Sequence, residues 1–235
     1  MELYPIQTFP MAPLSFGSCH VDVFATEACP DAQADKLESL LTSVDLCAVQ
    51  EVSEDMICRI CPALSKAGLQ WHFSAYGNRN AHYVGTLTVW RSEKLTLKTM
   101  HTCVPNGPHA GAPESVVKAQ IVQFECNANS MVTLVNYRLP RCAVDECAYI
   151  KSAMQGVDTD AHPILLCVSG ARNNNNLRAG MLLQGMTDIC ISGDAYDVCE
   201  GGLVFTQSMA TSLKFQDVTN SEEHCMSTMM GSLDL

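Results

Sequence analysis

The sequence predicts a single α/β domain built on mixed β-sheet. Three observations carry that expectation. Strand-like and helix-like segments alternate at the start of the chain and again after residue 144, the pattern of parallel strands joined by crossover helices. Between these stretches lie alternating apolar and polar segments separated by short turn signals, the pattern of antiparallel hairpins. Hydrophobic residues make up 47% of the 235 and charged residues 17%, enough apolar material for a packed core.

Residues 1–13 hold Pro5, Pro10 and Pro13 and are expected to form an extended arm, with the domain over 14–235. Leu14–Phe24 alternates as a strand does. Leucines at 37, 40 and 41 recur at helical spacing, so a helix is expected over Asp35–Thr42. Leu46–Val52 is a short buried strand, and Asp55–Lys66 a helix stopped by Gly68. Trp71–Tyr76 is a strand that ends in the turn signal Gly77-Asn78-Arg79-Asn80. Gly85–Arg91 is a strand with Leu95–Thr102 as its expected neighbour. Pro105–Pro113 is a surface loop. Val116–Glu125 and Met131–Leu139 form a hairpin across Asn127-Ala128-Asn129. Val144–Gln155 is an amphipathic helix, Ile164–Val168 a fully buried strand and Leu177–Gln184 a helix. Leu203–Thr206 and Leu213–Val218 are strands, and Met226, Met229 and Met230 in the tail are read as core or interface packing.

The net charge is −11, and the 14 Lys and Arg are scattered, which opposes direct nucleic-acid binding. No apolar run reaches about 18 residues, so no membrane span is expected. The N-terminus lacks the basic start and apolar core of a secretion signal. The 13 cysteines are odd in number, and most sit in apolar strings, as Cys47, Cys126, Cys167 and Cys190 do. They read as small buried hydrophobes in a reducing compartment, so the expected location is intracellular, in the mitochondrial matrix or the cytoplasm. Cys58-Arg-Ile-Cys61 shares a helix face at i, i+3, and no second pair stands at zinc-site spacing. His20, His72, His82, His101, His109 and His162 share no spacing and are read as ordinary.

Seven short stretches carry a further signal. In order they are Leu14-Ser15-Phe16-Gly17, Val49-Gln50-Glu51-Val52, Gly85 to Arg91, Asn136-Tyr137-Arg138-Leu139, Ile164 to Asn173, Gly185-Met186-Thr187-Asp188 and Ser221-Glu222-Glu223-His224. Their order and separation resemble the motifs of the endonuclease/exonuclease/phosphatase family: "LSYN", "LQE", "G-hydrophobic-hydrophobic-R", "NTHL", "GDFN", a glycine-leucine-any-aspartate step, and "SDH". The resemblance implies a four-layered α/β sandwich, two mixed β-sheets packed face to face and flanked by helices. It implies a metal-binding role for the position of Glu51, retention at Asn173, and a phosphate contact at His224. It also marks departures. Gly17 stands where the family has asparagine, Arg138 where it has histidine, and Ala171 (or Ser169) where it has aspartate. Glu200-Gly201-Gly202-Leu203 occupies the stretch of the "IDY" motif without an aspartate.

The family reaction needs a hard divalent cation on carboxylates, an activated water and stabilisation of charge on phosphorus. With these positions altered, the resemblance implies a catalytically inactive member. It would act as a structural or protein-interaction subunit of a larger assembly, with protein subunits as partners and no cofactor. The alternative is a divalent-metal-dependent phosphodiesterase or phosphatase with a rearranged site. That site would hold Mg²⁺ on Glu51 and draw on Asp188, Asp194, Asp197 or Glu200. The plainer reading of Glu51 is a carboxylate that caps the following helix, and that of His224 a surface histidine.

Overall fold

The computed structural model describes residues 13–21, 30–79, 82–105, 118–126, 130–140, 145–157, 162–170, 180, 188–191, 202–207, 213–221 and 226–233. The chain opens β1 (Leu14–Val21), α1 (Pro30–Ser43), β2 (Leu46–Ser53), α2 (Glu54–Lys66) and the hairpin β3 (Leu69–Arg79), β4 (His82–Arg91). It continues with β5 (Leu95–Cys103), β6 (Ala119–Cys126), β7 (Met131–Arg138), α3 (Glu146–Ala153) and β8 (Ile164–Ser169). It closes with β9 (Asp188–Ile191), β10 (Gly202–Gln207), β11 (Leu213–Ser221) and β12 (Met226–Leu233).

Local signals explain the early elements. Pro30 and Asp31 open α1 ahead of its leucine stripe, so the helix starts before the expected Asp35, and Leu37, Leu40 and Leu41 are buried. Ser53, not Glu51, caps α2: its side chain accepts from the Met56 N–H. Glu54 and Asp55 then lie in the first turn and Lys66 in the last, matching the helix dipole. Gly68, at φ +70°, takes the left-handed turn that ends it.

These elements form two six-stranded sheets, in order β11-β12-β1-β2-β4-β3 and β5-β6-β7-β8-β10-β9. The pairs β1–β2 and β7–β8 are parallel, and every other pairing is antiparallel. Three apolar clusters separate four layers. Leu37, Leu41, Ile57, Ile60 and Leu64 of α1 and α2 pack on Cys19, Val49, Leu87 and Val89 of the first sheet. Phe16, Leu46, Trp90, Phe124, Leu134 and Leu165 fill the space between the sheets. Tyr149, Ile150 and Ala153 of α3 cover Val135, Tyr137, Ile164 and Leu166 of the second sheet. The architecture is a four-layered α/β sandwich with two mixed sheets face to face.

Three expectations differ from the structure. Gly77–Arg79 continue β3 instead of turning, because a register shift between Ala75 and Gly77 absorbs the irregularity. Strand β5 does not pair with β4: three residues after β4 the chain crosses to the other sheet and pairs with β6. The methionines of the tail do pack in the core, Met226 and Met229 being buried, but in a strand that was not expected: β12, inserted between β1 and β11. The helix expected over 177–184 and the arm over 1–13 lie outside the described residues except at Pro13 and at Gly180, which is helical.

Candidate functional site

Alternation along each strand aims one residue in two into the space between the sheets. There the side chains change character along the strands. Phe16, Leu46, Trp90, Phe124 and Leu134 make an apolar floor. One step on, Gln50, Thr88, Gln120 and Asn136 form a buried polar layer that joins the two sheets. Gln50 Nε2 donates to Asn136 Oδ1 at 2.9 Å, and Asn136 Nδ2 donates to the Leu87 carbonyl at 3.0 Å. The Thr88 hydroxyl donates to Gln120 Oε1 at 2.6 Å, and Gln120 Nε2 donates to the Thr86 carbonyl at 3.0 Å. Above this layer, at the carboxyl ends of β1, β2, β7 and β8, sit His20, Glu51, Arg138 and Ser169. The carboxyl ends of parallel strands are where open α/β sheets place ligands.

Glu51 reaches this layer only because β2 bulges. Gln50 and Glu51 lie between the ladder pairs Val49–Leu87 and Val52–Gly85, so two residues face Thr86 alone. Strict alternation would send the Glu51 side chain to the helix side, with Val49. Instead Glu51 adopts φ +62°, the one positive φ of a non-glycine residue among those described. That conformation costs about 1–2 kcal/mol for a side-chain-bearing residue. Gly85, opposite Val52, is held slim from its other side: a Cβ there would overlap the Ser74 carbonyl oxygen of β3 and crowd the Phe73 ring.

The Glu51 carboxylate is buried with two nitrogen-bearing neighbours. Arg138 Nε donates to Oε2 at 3.0 Å, and His20 Nε2 lies 3.6 Å from the same oxygen. Arg138 also donates from Nη1 to the Leu139 carbonyl at 3.1 Å. The side chains of His20, Glu51 and Arg138 are 1%, 6% and 5% exposed, so the ion pair is screened little by water. Ser169 is the Cα partner of Arg138, and its buried hydroxyl has no hydrogen-bond partner among the described residues.

A hard divalent cation takes about six oxygen ligands. Here one carboxylate faces a guanidinium and an imidazole. Among the described residues no group of three or more His, Cys, Asp or Glu could hold a metal ion. The described set, one carboxylate between a guanidinium and an imidazole, does not by itself fit such a cation.

No family model matches the chain, and no curated protein matches it in sequence. Solved structures do match. ANGEL2, a 2′,3′-cyclic phosphatase, superposes with a TM-score of 0.68 at 9% identity, over 95% of this chain and 96% of that one. An endonuclease/exonuclease/phosphatase from Bacteroides vulgatus gives 0.68 at 10% identity, over 96% and 100%. The mannosyl-6-phosphatase Bt3783 of Bacteroides thetaiotaomicron gives 0.66 at 10% identity, over 94% and 100%. This chain has the endonuclease/exonuclease/phosphatase fold.

Within that fold, the structure relocates one departure. Gly17 pairs with Cys47, and a Cβ there would meet the Cys47 sulfur at 3.1 Å and side chains of Leu40 and Val44, on the helix side of the sheet. The β1 residue beside Glu51 is His20, whose Cα partner is Gln50. Gly17 is therefore not at the cleft, and His20, read from sequence as ordinary, is. The signal was the alternation Phe16, Ser18, His20, carried three residues past the quoted motif. Arg138 does lie at the cleft. Ala171, Asn173, Asp194, Asp197, Glu200, Glu223 and His224 lie outside the described residues, and Asp188 opens β9 opposite Thr206.

Proposed function

We propose that the chain is a non-catalytic form of the endonuclease/exonuclease/phosphatase fold, serving as a structural or protein-interaction subunit of a larger assembly. The observation that supports this reading is the buried Arg138–Glu51 pair, with Nε and Oε2 3.0 Å apart. A guanidinium on the carboxylate neutralises the charge that would recruit a divalent cation. It supplies a fixed positive charge but cannot coordinate a water molecule and make it acidic, as a bound metal does. The His20 imidazole on the same oxygen crowds the carboxylate further. The polar layer beneath and the bulge of β2 hold this arrangement.

The competing reading, a phosphoric ester hydrolase with a rearranged site, draws on the names of the neighbours, a 2′,3′-cyclic phosphatase and a mannosyl-6-phosphatase. An assay separates the two. The purified chain is incubated with Mg²⁺ or Mn²⁺ and bis(p-nitrophenyl) phosphate, p-nitrophenyl phosphate or a 2′,3′-cyclic nucleotide. The non-catalytic reading expects the same background from wild type and Glu51→Gln. Metal-dependent turnover that Glu51→Gln abolishes establishes the hydrolase instead.

A further inference from the structure

Helix α2 carries Cys58 and Cys61, three residues apart and so neighbours on the helix surface. Ile57, Ile60 and Leu64 anchor the helix on the first sheet. Cys61 borders that apolar stripe and is partly buried against it, while Cys58 stands further out and is exposed. Both are free thiols, as are all eight described cysteines. The two groups sense each other: burial pushes the Cys61 thiol up, and the charge of Cys58 adds to the rise. Arg59, between them in the chain, is held by Asp31 of α1. Pro62 follows Cys58 by four residues and has no N–H to give the Cys58 carbonyl, so the turn that carries the pair lacks one helix rung and can adjust.

Helix geometry decides what such a pair can do. Residues three apart on a helix hold their Cβ atoms about 5–6 Å apart. A disulfide needs Cβ atoms about 3.5–4.5 Å apart, so a direct S–S bond would have to distort the turn. One metal ion between the sulfurs needs no such distortion. At roughly 2.3 Å for a metal–thiolate bond, linear coordination sets the two sulfurs about 4.6 Å apart, within reach of side chains at this spacing.

We propose that Cys58 and Cys61 form a two-coordinate site for a soft monovalent cation, Cu(I), bridging their sulfurs at the surface of α2. Soft thiolates select Cu(I), and two of them complete its shell. Structural zinc takes about four ligands, and among the described residues no group of three or more His, Cys, Asp or Glu could hold a metal ion. Each thiol releases its proton to solvent as its sulfur binds. Two protons therefore leave per copper, no atom changes oxidation state, and binding tightens as pH rises. Cys58 is the open side through which the ion enters, and Cys61 is the side fixed by packing. The site lies on the helix side of the first sheet, away from the cleft between the sheets, and is independent of how that cleft is read.

The probe is Cu(I) itself, titrated anaerobically into the full chain against the chelator bathocuproine disulfonate. The first equivalent should go to this pair. Alkylation and mass spectrometry should then find Cys58 and Cys61 protected together, while Cys103 and Cys147 label as in the metal-free protein. X-ray absorption of the same sample should show two sulfur ligands. Cys58→Ser, a substitution at an exposed position that leaves the core untouched, should weaken binding on the order of 10²-fold, since one of two linked ligands is gone. Cys61→Ser should do the same, and Cys103→Ser, which also removes one thiol, should match wild type. Protection of only one cysteine of the pair, a third sulfur on the copper, or wild-type affinity in Cys58→Ser would overturn the proposal.

Discussion

Replacing Glu51 with alanine leaves the Arg138 guanidinium buried at 5% exposure without the carboxylate 3.0 Å away. Breaking a buried ion pair from one side costs about 3–5 kcal/mol, because the remaining charge stays desolvated. For a chain of this size each kcal/mol corresponds to roughly 2–4 °C in melting temperature, so the expected fall is roughly 6–20 °C. Two companions check the cause. Glu51→Gly loses the same carboxylate but relieves the left-handed backbone at φ +62°, so it should be less damaging than alanine by about 1 kcal/mol. Replacing both partners, with Met at 51 and Leu at 138, should recover most of the loss, as apolar substitutes for buried pairs commonly do. The assay is thermal and denaturant unfolding of the four proteins, with a double-mutant cycle on the pair. A carboxylate kept free for chemistry behaves in the opposite way, since functional groups are often held at a cost to stability. An unchanged or raised melting temperature in Glu51→Ala would refute the reasoning.

Asp45 ties the far ends of β1, β2 and β4 through Ser15, Arg91 and Lys94. Burial pushes its carboxyl up, but the hydrogen bonds from Ser15 and Lys94 outweigh burial and hold it below its ordinary 3.8. Its contribution is therefore complete above about pH 4 and is lost as pH falls through the depressed value. Acid unfolding of Asp45→Asn should lack that component. Burial pushes Cys19 and Cys167 up to about 12, with the Ser18 hydroxyl opposing the rise at Cys167, and raises Cys47 well above its ordinary value. At pH 8 a thiol reagent should label exposed Cys58 in the native protein and reach those three only after unfolding. Asn136→Leu removes the link between Gln50 and the Leu87 carbonyl and should cost about 1–3 kcal/mol in denaturant unfolding.

Much of this architecture is legible from residue order. The leucines of α1, the Gly68 stop, the β6–β7 hairpin and the apolar run of β8 each carry a local signal that tertiary packing does not override. The strand β12 is less legible, because Ser-Thr-Met-Met-Gly-Ser has neither clear alternation nor a strong β-former, and only its place between β1 and β11 makes it a strand. The jump of β5 to the other sheet is invisible locally, since a three-residue turn serves equally for a hairpin. At the cleft, short motifs mark Glu51 and Arg138 but not His20. Which β1 residue stands beside Glu51 depends on the parallel register of β1 on β2, and nothing local sets it. The bulge that turns Glu51 inward is equally silent, as Val-Gln-Glu-Val contains no glycine to announce a positive φ.

Arg138 occupies the carboxylate on which a metal would depend. Electron paramagnetic resonance of Mn²⁺ titrated into wild type, Glu51→Gln and Arg138→His tests it directly. Wild type and Glu51→Gln should show the same weak, non-saturating uptake from the acidic surface. A saturable site in wild type that Glu51→Gln removes would contradict the account.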